Sequence, residues 1–215
     1  MLATDLTPLL ALVAVVTARP IPRSTKAICP QNLITIAPDT TSCEGAEYPE
    51  ECRTAAIAAP NIAKSFEQFN LHSFGAQAAA VAIQLFESGD FRYNKNHFPA
   101  PGRPGQGTRN MQSPAFNEKY AEYLTSVSDS GIGRAQLDAA RAEGPTAVLE
   151  LVNTDQWSFA SAAWFIDIQC SDAVKQGLDA GTQEGFSNYI TECVGTTLTE
   201  DRTAGWQKVI AMGKW

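Results

Sequence analysis

The sequence predicts a mainly α (α+β) domain in which helices surround one buried central helix, with a small β-hairpin or flap beside it. Three observations carry this. Residues 73–89, SFGAQAAAVAIQLFESG, have almost no polar face, as a helix enclosed on all sides must. Beyond them most segments open on Ser, Thr or Pro and close on Gly or a polar turn, the punctuation of successive helices. Residues 90–112 break that rhythm with Gly, Pro and Asn, so an irregular hairpin or three-stranded flap is expected there.

Taken in order, residues 1–18 contain the apolar run LTPLLALVAVV and end on Val16-Thr17-Ala18, the pattern of an export signal cut before Arg19. Residues 19–48 are rich in Pro, Thr and Ser and are expected to form an extended, disulfide-tethered arm. Residues 49–215 are expected to be the catalytic domain. Its first helix begins at Pro49 with acids in the opening turn, which suits the positive helix end, and Pro60 is expected to break or kink it. Ser73 is the predicted N-cap of the central helix and Gly89 its stop. Ser113-Pro114 opens the next helix, Pro145 another, and SFASAAWFIDIQC is a second strongly apolar one. Three further segments, each beginning with Ser or Thr, complete the chain.

Composition narrows the function classes. At 215 residues there is room for one good-sized domain, and a formal charge of −7 argues against nucleic acid as the main partner. Once the N-terminus is set aside no apolar run could span a bilayer, so no membrane anchor is expected. The five cysteines show no Cys-x-x-Cys spacing, so structural disulfides in a secreted, extracellular protein are expected rather than a metal site. Cys170–Cys193 and Cys43–Cys52 are the preferred pairs, which leaves Cys29 over. No metal or cofactor is expected, and a monomer is.

Glu87 is the candidate catalytic residue. It ends a helix whose other side chains want burial, and desolvation together with the negative helix end would keep a carboxyl protonated near neutral pH. Such an acid can protonate a leaving oxygen. The order of buried helix, Glu87-Ser88-Gly89, irregular excursion and Met111-Gln112 resembles the lysozyme-like superfamily, closest to lytic transglycosylases and goose-type lysozymes. Gly105, Gly107, Gln112 and Asn117, with SFASAAWF at 158–165, also resemble family 19 chitinases. Arg-Asn stands where Gly-Leu usually precedes Met-Gln, which leaves the sugar-site geometry open.

That resemblance implies a secreted glycosidase cleaving β-1,4 linkages, with Glu87 as general acid and Ser88, Met111 and Gln112 at the substrate. Residues 91–117 contain no Asp or Glu, so Asp90 is the nearest candidate for a second acid; a positioned water or the sugar's 6-hydroxyl could attack instead. The same stretch carries Arg92, Lys95, His97, Arg103 and Arg109 unopposed. This local positive field favours anionic peptidoglycan first and chitin second, with Arg109, Tyr93 and His97 as further substrate contacts. The alternatives are a chitinase- or chitosanase-type enzyme of the same fold, and a non-catalytic secreted binding or effector protein.

Overall fold

A computed structural model describes residues 27–215, and the expected signal segment 1–18 lies outside them. The protein is mainly α-helical. The helices are α1 (Pro30–Ile36), α2 (Ala55–Gln68), α3 (Phe74–Glu87), α4 (Pro114–Leu124), α5 (Arg134–Glu143), α6 (Pro145–Val152), α7 (Asp155–Trp164), α8 (Asp172–Asp179), α9 (Gln183–Asn188) and α10 (Glu200–Ile210). Helix α3 is the centre. Ser73 caps it, its hydroxyl accepting from Ala76 N at 3.1 Å, and ten of its residues are buried. Helices α7, α8 and α10 all lie against it. Its small side chains permit this approach: a Cβ on Gly75 would sit 2.1 Å from the Leu178 carbonyl oxygen.

Helix α7 is buried from Trp157 to Trp164 and runs into a π-helical turn, Phe165–Gln169. Helix α9 likewise runs into a π-helical turn, Tyr189–Val194. The Cys170–Cys193 disulfide ties the ends of these two turns together. Widened turns of this kind re-aim side chains and often stand at functional sites, and both face the cleft described below.

Three expectations are corrected. The arm contains α1 and a 3₁₀ turn, Pro38–Thr41, rather than extended chain alone. Pro30 starts the helix, and Leu33 and Ile36 are buried, with α1 lying against α2; the apolar LITI run drives that docking. Helix α2 begins at Ala55 rather than Pro49, because the Cys43–Cys52 disulfide and the buried Glu51 hold the preceding turn. It passes Pro60 unbroken. Pro60 is exposed, so water can serve the carbonyl its ring leaves unpaired, while Ala58, Ala59, Ile62 and Phe66 stay buried on the side toward α7.

The third correction concerns the flap. Among the described residues it forms no strand, only isolated antiparallel bridges Lys95–Gly107 and Gly107–Gln112. Prolines 99, 101 and 104 supply no N–H for a ladder, and Thr108 and Met111 turn the chain through positive φ. Side chains hold the flap instead. Arg109 is fully buried and donates to the carbonyls of Phe91 at 2.9 Å, Tyr93 at 3.0 Å and Glu51 at 2.7 Å. Glu51, also buried, accepts from the amides of Asn94 and Lys95.

Candidate functional site

Glu87 is the last residue of α3, and the turn after it is tightly fixed. The buried Ser88 hydroxyl donates to Gln84 O at 2.6 Å and accepts from Phe91 N at 2.9 Å. Gly89, Asp90 and Phe91 then follow at φ of 55°, 56° and 67°, a left-handed run that turns the chain sharply away. Glu87 is thereby left on the wall of a cleft of about 440 Å³, together with Gln106, Met111, Gln112, Phe165, Tyr189 and Arg202. Flap, both π-helical turns and α10 thus meet at the end of the central helix.

The surroundings of Glu87 differ from the apolar pocket expected. Arg202 Nη2 donates to Glu87 Oε1 at 2.9 Å, its Nη1 donates to Thr197 O at 3.1 Å, and its guanidinium lies 4.5 Å from the centre of the Phe86 ring. Glu87 is an ion-paired carboxylate, not an isolated acid among hydrocarbon. Close by, burial raises the Tyr189 phenol above its usual range, and the negative charge of Glu87 pushes the same way. The Tyr189 hydroxyl, Gln112 Oε1 and Arg202 Nε are buried without a hydrogen-bond partner. Each belongs to a side chain lining this one cleft.

The other candidates divide. Met111 and Gln112 line the cleft with Glu87; Gln112 Nε2 also donates to Asn117 Oδ1 at 3.0 Å. Tyr93 and His97 line an adjoining cavity of about 270 Å³ that also touches Glu87. Ser88 is a turn lock, and Arg109 does not reach the cleft because its guanidinium is spent on the carbonyls of Phe91 and Tyr93 in the flap and of Glu51 in the disulfide-bound turn. Asp90 faces elsewhere, into a cavity with Asp39, Phe86 and Lys208. Burial raises its carboxyl above the ordinary range, reinforced by Asp39 and opposed by Lys208 and Arg92.

The unopposed positive field is also corrected. Lys95 pairs with Glu150 at 2.5 Å and His97 with Glu51 at 2.9 Å. The acids come from outside the flap, where its local sequence could not reveal them. Arg103 does line the cleft. Sequence reasoning also missed Arg202 and Tyr189, which lie more than 100 residues from Glu87 in the chain and carry no local motif.

No protein-family model matches the chain, and no solved structure matches it. The chain is 40% identical over 141 residues to a protein named bifunctional dioxygenase (DOX)-epoxy alcohol synthase (EAS) from Fusarium oxysporum (strain Fo5176). That match takes in 66% of this chain, yet the chain spans only about a tenth (11%) of the relative's length.

This likeness overturns the glycosidase expectation. The named relative is an oxidative enzyme, not a hydrolase of peptidoglycan or chitin, and no lysozyme-like relationship is found. The residues that suggested one have folding roles: Ser88 locks its turn and Gln112 ties the flap to α4 through Asn117. A short motif between a helix and an irregular loop can arise from those needs alone. Two disulfides are formed, Cys43–Cys52 and Cys170–Cys193, while Cys29 is free and exposed. Among the described residues no helix is long and apolar enough to cross a membrane.

Proposed function

We propose that this chain is a small-molecule-binding module whose cleft beside Glu87 takes an oxygenated amphiphile of the epoxy alcohol type. One observation carries the reading. Three buried polar atoms without partners (Tyr189 Oη, Gln112 Oε1 and Arg202 Nε) belong to side chains around a single cleft. An unpaired buried polar group costs about 1–3 kcal/mol, so three of the seven such atoms gathered around one cleft favour a polar partner there. A ligand drawing these side chains forward would supply it. Its hydroxyl could donate to Gln112 Oε1, and its ether-type oxygen could accept from Tyr189. Ile83, Met111, Phe116, Phe165 and Val194 add hydrocarbon to a lining that Arg103, Gln106, Asn110, Ser113 and Thr196 otherwise make polar, which suits an amphiphile whose oxygenated end enters the cleft.

The relative's name supports the ligand class, since it couples a dioxygenase to the synthesis of an epoxy alcohol. For the dioxygenase half of that name the described residues offer no fitting set of metal ligands. No group of three or more His, Cys, Asp and Glu among the described residues could hold a metal ion. His97 is committed to Glu51 and stacks on Tyr48 at 3.7 Å, and the Cys29 thiol donates to Asn32. The reading is therefore one of binding, with oxygen chemistry assigned to no residue here. Two disulfides favour an oxidising compartment, and secretion is part of the proposal.

Protein-observed NMR titration tests it. A straight-chain epoxy alcohol should shift the amides of Met111, Gln112 and Tyr189, while the parent alkane should not. Tyr189→Phe should weaken binding about fivefold to tenfold, the worth of one hydrogen bond of about 1 kcal/mol. Equal response to the alkane and the epoxy alcohol would refute the reading.

A further inference from the structure

We propose that the Cys170–Cys193 disulfide is a redox-sensitive latch on the cleft. Oxidised, it fixes the wall that carries Val194, Gly195 and Thr196; its reduction by a thiol frees that wall and weakens the hold on the ligand. The ligand half of this statement rests on the binding reading above.

Placement carries the proposal. Cys193 lies within the π-helical turn Tyr189–Val194, and the three residues that follow it, Val194, Gly195 and Thr196, all line the cleft. Thr197, next in the chain, accepts Arg202 Nη1 at its carbonyl, and Arg202 in turn holds Glu87. Cys170 directly follows the other π-helical turn, Phe165–Gln169, whose Phe165 lines the cleft as well. The disulfide therefore joins two stretches of the cleft wall through residues 23 positions apart in the chain.

Little else makes that connection. The Gly195 and Thr196 amides both donate to Ile190 O, and the Thr191 hydroxyl donates to Ser187 O, all within the same stretch of chain. Among the described residues no hydrogen bond joins 191–197 to 165–170. Thr191, Glu192, Gly195 and Thr197 are exposed, so burial holds them weakly. Gly195, at a φ of 75° and with open space where a Cβ would stand, is free to swivel. Tyr189 and Ile190, at the base of the turn, are fully buried. Motion is thereby confined to the stretch beyond them.

The step is thiol–disulfide exchange. Cys170 is buried and Cys193 half-buried, so an external thiolate attacks Cys193 Sγ. The S–S bond breaks, Cys170 leaves as a thiolate and takes a proton from water. A second external thiolate attacks the outer sulfur of the mixed disulfide and releases Cys193. The two external thiols end as one disulfide, having given two electrons. A cleft latched in this way is complete only under oxidising conditions.

Amide hydrogen exchange of the intact chain, oxidised and after treatment with a dithiol, reads the latch directly. Reduction should speed exchange at Gly195 and Thr196 by about tenfold or more, while the α3 amides 78–83 stay protected. Titration with a straight-chain epoxy alcohol should give a Kd about threefold to tenfold weaker after reduction. The double change Cys170→Ser and Cys193→Ser should reproduce both effects without the dithiol, and the dithiol should then add nothing at these two amides. That separates the latch from reduction of Cys43–Cys52. Unchanged exchange at Gly195 and Thr196, loss of α3 protection along with theirs, or an affinity indifferent to reduction would each overturn the latch while the binding reading stands. If the oxidised chain binds none of the epoxy alcohol, the binding reading fails and the latch on the ligand falls with it.

Discussion

Replacing Arg109 by Met removes the guanidinium that joins the flap to the disulfide-bound turn while keeping most of its volume. Glu51 O and Tyr93 O would lose the hydrogen bonds they receive from Arg109, whereas Phe91 O keeps one from the Arg53 amide at 3.0 Å. Two orphaned acceptors at about 1–3 kcal/mol each give roughly 2–6 kcal/mol. Relief of burying the charge opposes this. Burial first, and the neighbouring Arg53 second, lower the Arg109 pKa to about 10, so its environment favours the charge less than water does. A net loss of about 3 kcal/mol is expected, enough to matter against a total stability of about 5–15 kcal/mol. In urea, with a slope near 2 kcal/mol/M, the midpoint should fall by about 1.5 M. Arg109→Lys should do nearly as badly, because an ammonium cannot span three carbonyls in a fixed fork. A loss below about 0.5 kcal/mol for the Met variant would show that Arg109 does not hold the flap.

Tyr189→Phe should raise the stability of the ligand-free protein by up to about 1 kcal/mol, since it deletes a buried hydroxyl with no partner; thermal unfolding checks this, and a clear loss would mean the hydroxyl is satisfied. The double change Cys170→Ser and Cys193→Ser should lower stability by about 3 kcal/mol for its loop, read by denaturant unfolding under oxidising conditions. Asp90 gives a pH prediction. Its folded pKa is raised above the ordinary 3.8, so the native state holds its proton more firmly than the unfolded state does. Its contribution to stability should grow as pH falls through the folded value toward 3.8 and be absent well above it. Asp90→Asn should flatten that part of the stability–pH curve, and an unchanged curve would refute the assignment. Gly75→Ala should destabilise by about 1–3 kcal/mol, because its Cβ meets the Leu178 carbonyl at 2.1 Å and neither backbone can yield.

Much of the helical framework was legible in the sequence because its signals are local. The unbroken apolar run of α3, the Ser73 cap and the prolines opening α4 and α6 each act within a few residues. Pro60 misled because a helix interior can lose one hydrogen bond when that side faces water and the opposite side is buried. The flap misled more seriously. Its basic residues were visible, but Glu51 and Glu150, which engage His97 and Lys95, stand 46 and 55 positions away in the chain (97 − 51 and 150 − 95). The Glu-Ser-Gly and Met-Gln stretches suggested a glycosidase, and the likeness to a bifunctional oxygenase overturned that.

By itself, then, the sequence determined a mainly helical chain with α3 at its centre and Glu87 at that helix's end, since amphipathicity, capping and backbone restriction are encoded residue by residue. Tertiary structure alone decided what Glu87 faces. Arg202 arrives on α10 and Tyr189 on a π-helical turn, both brought in by packing against α3 and its neighbours. A carboxylate's chemistry depends on the charges and donors within a few ångströms, and those neighbours are set by how helices dock, which no local pattern records.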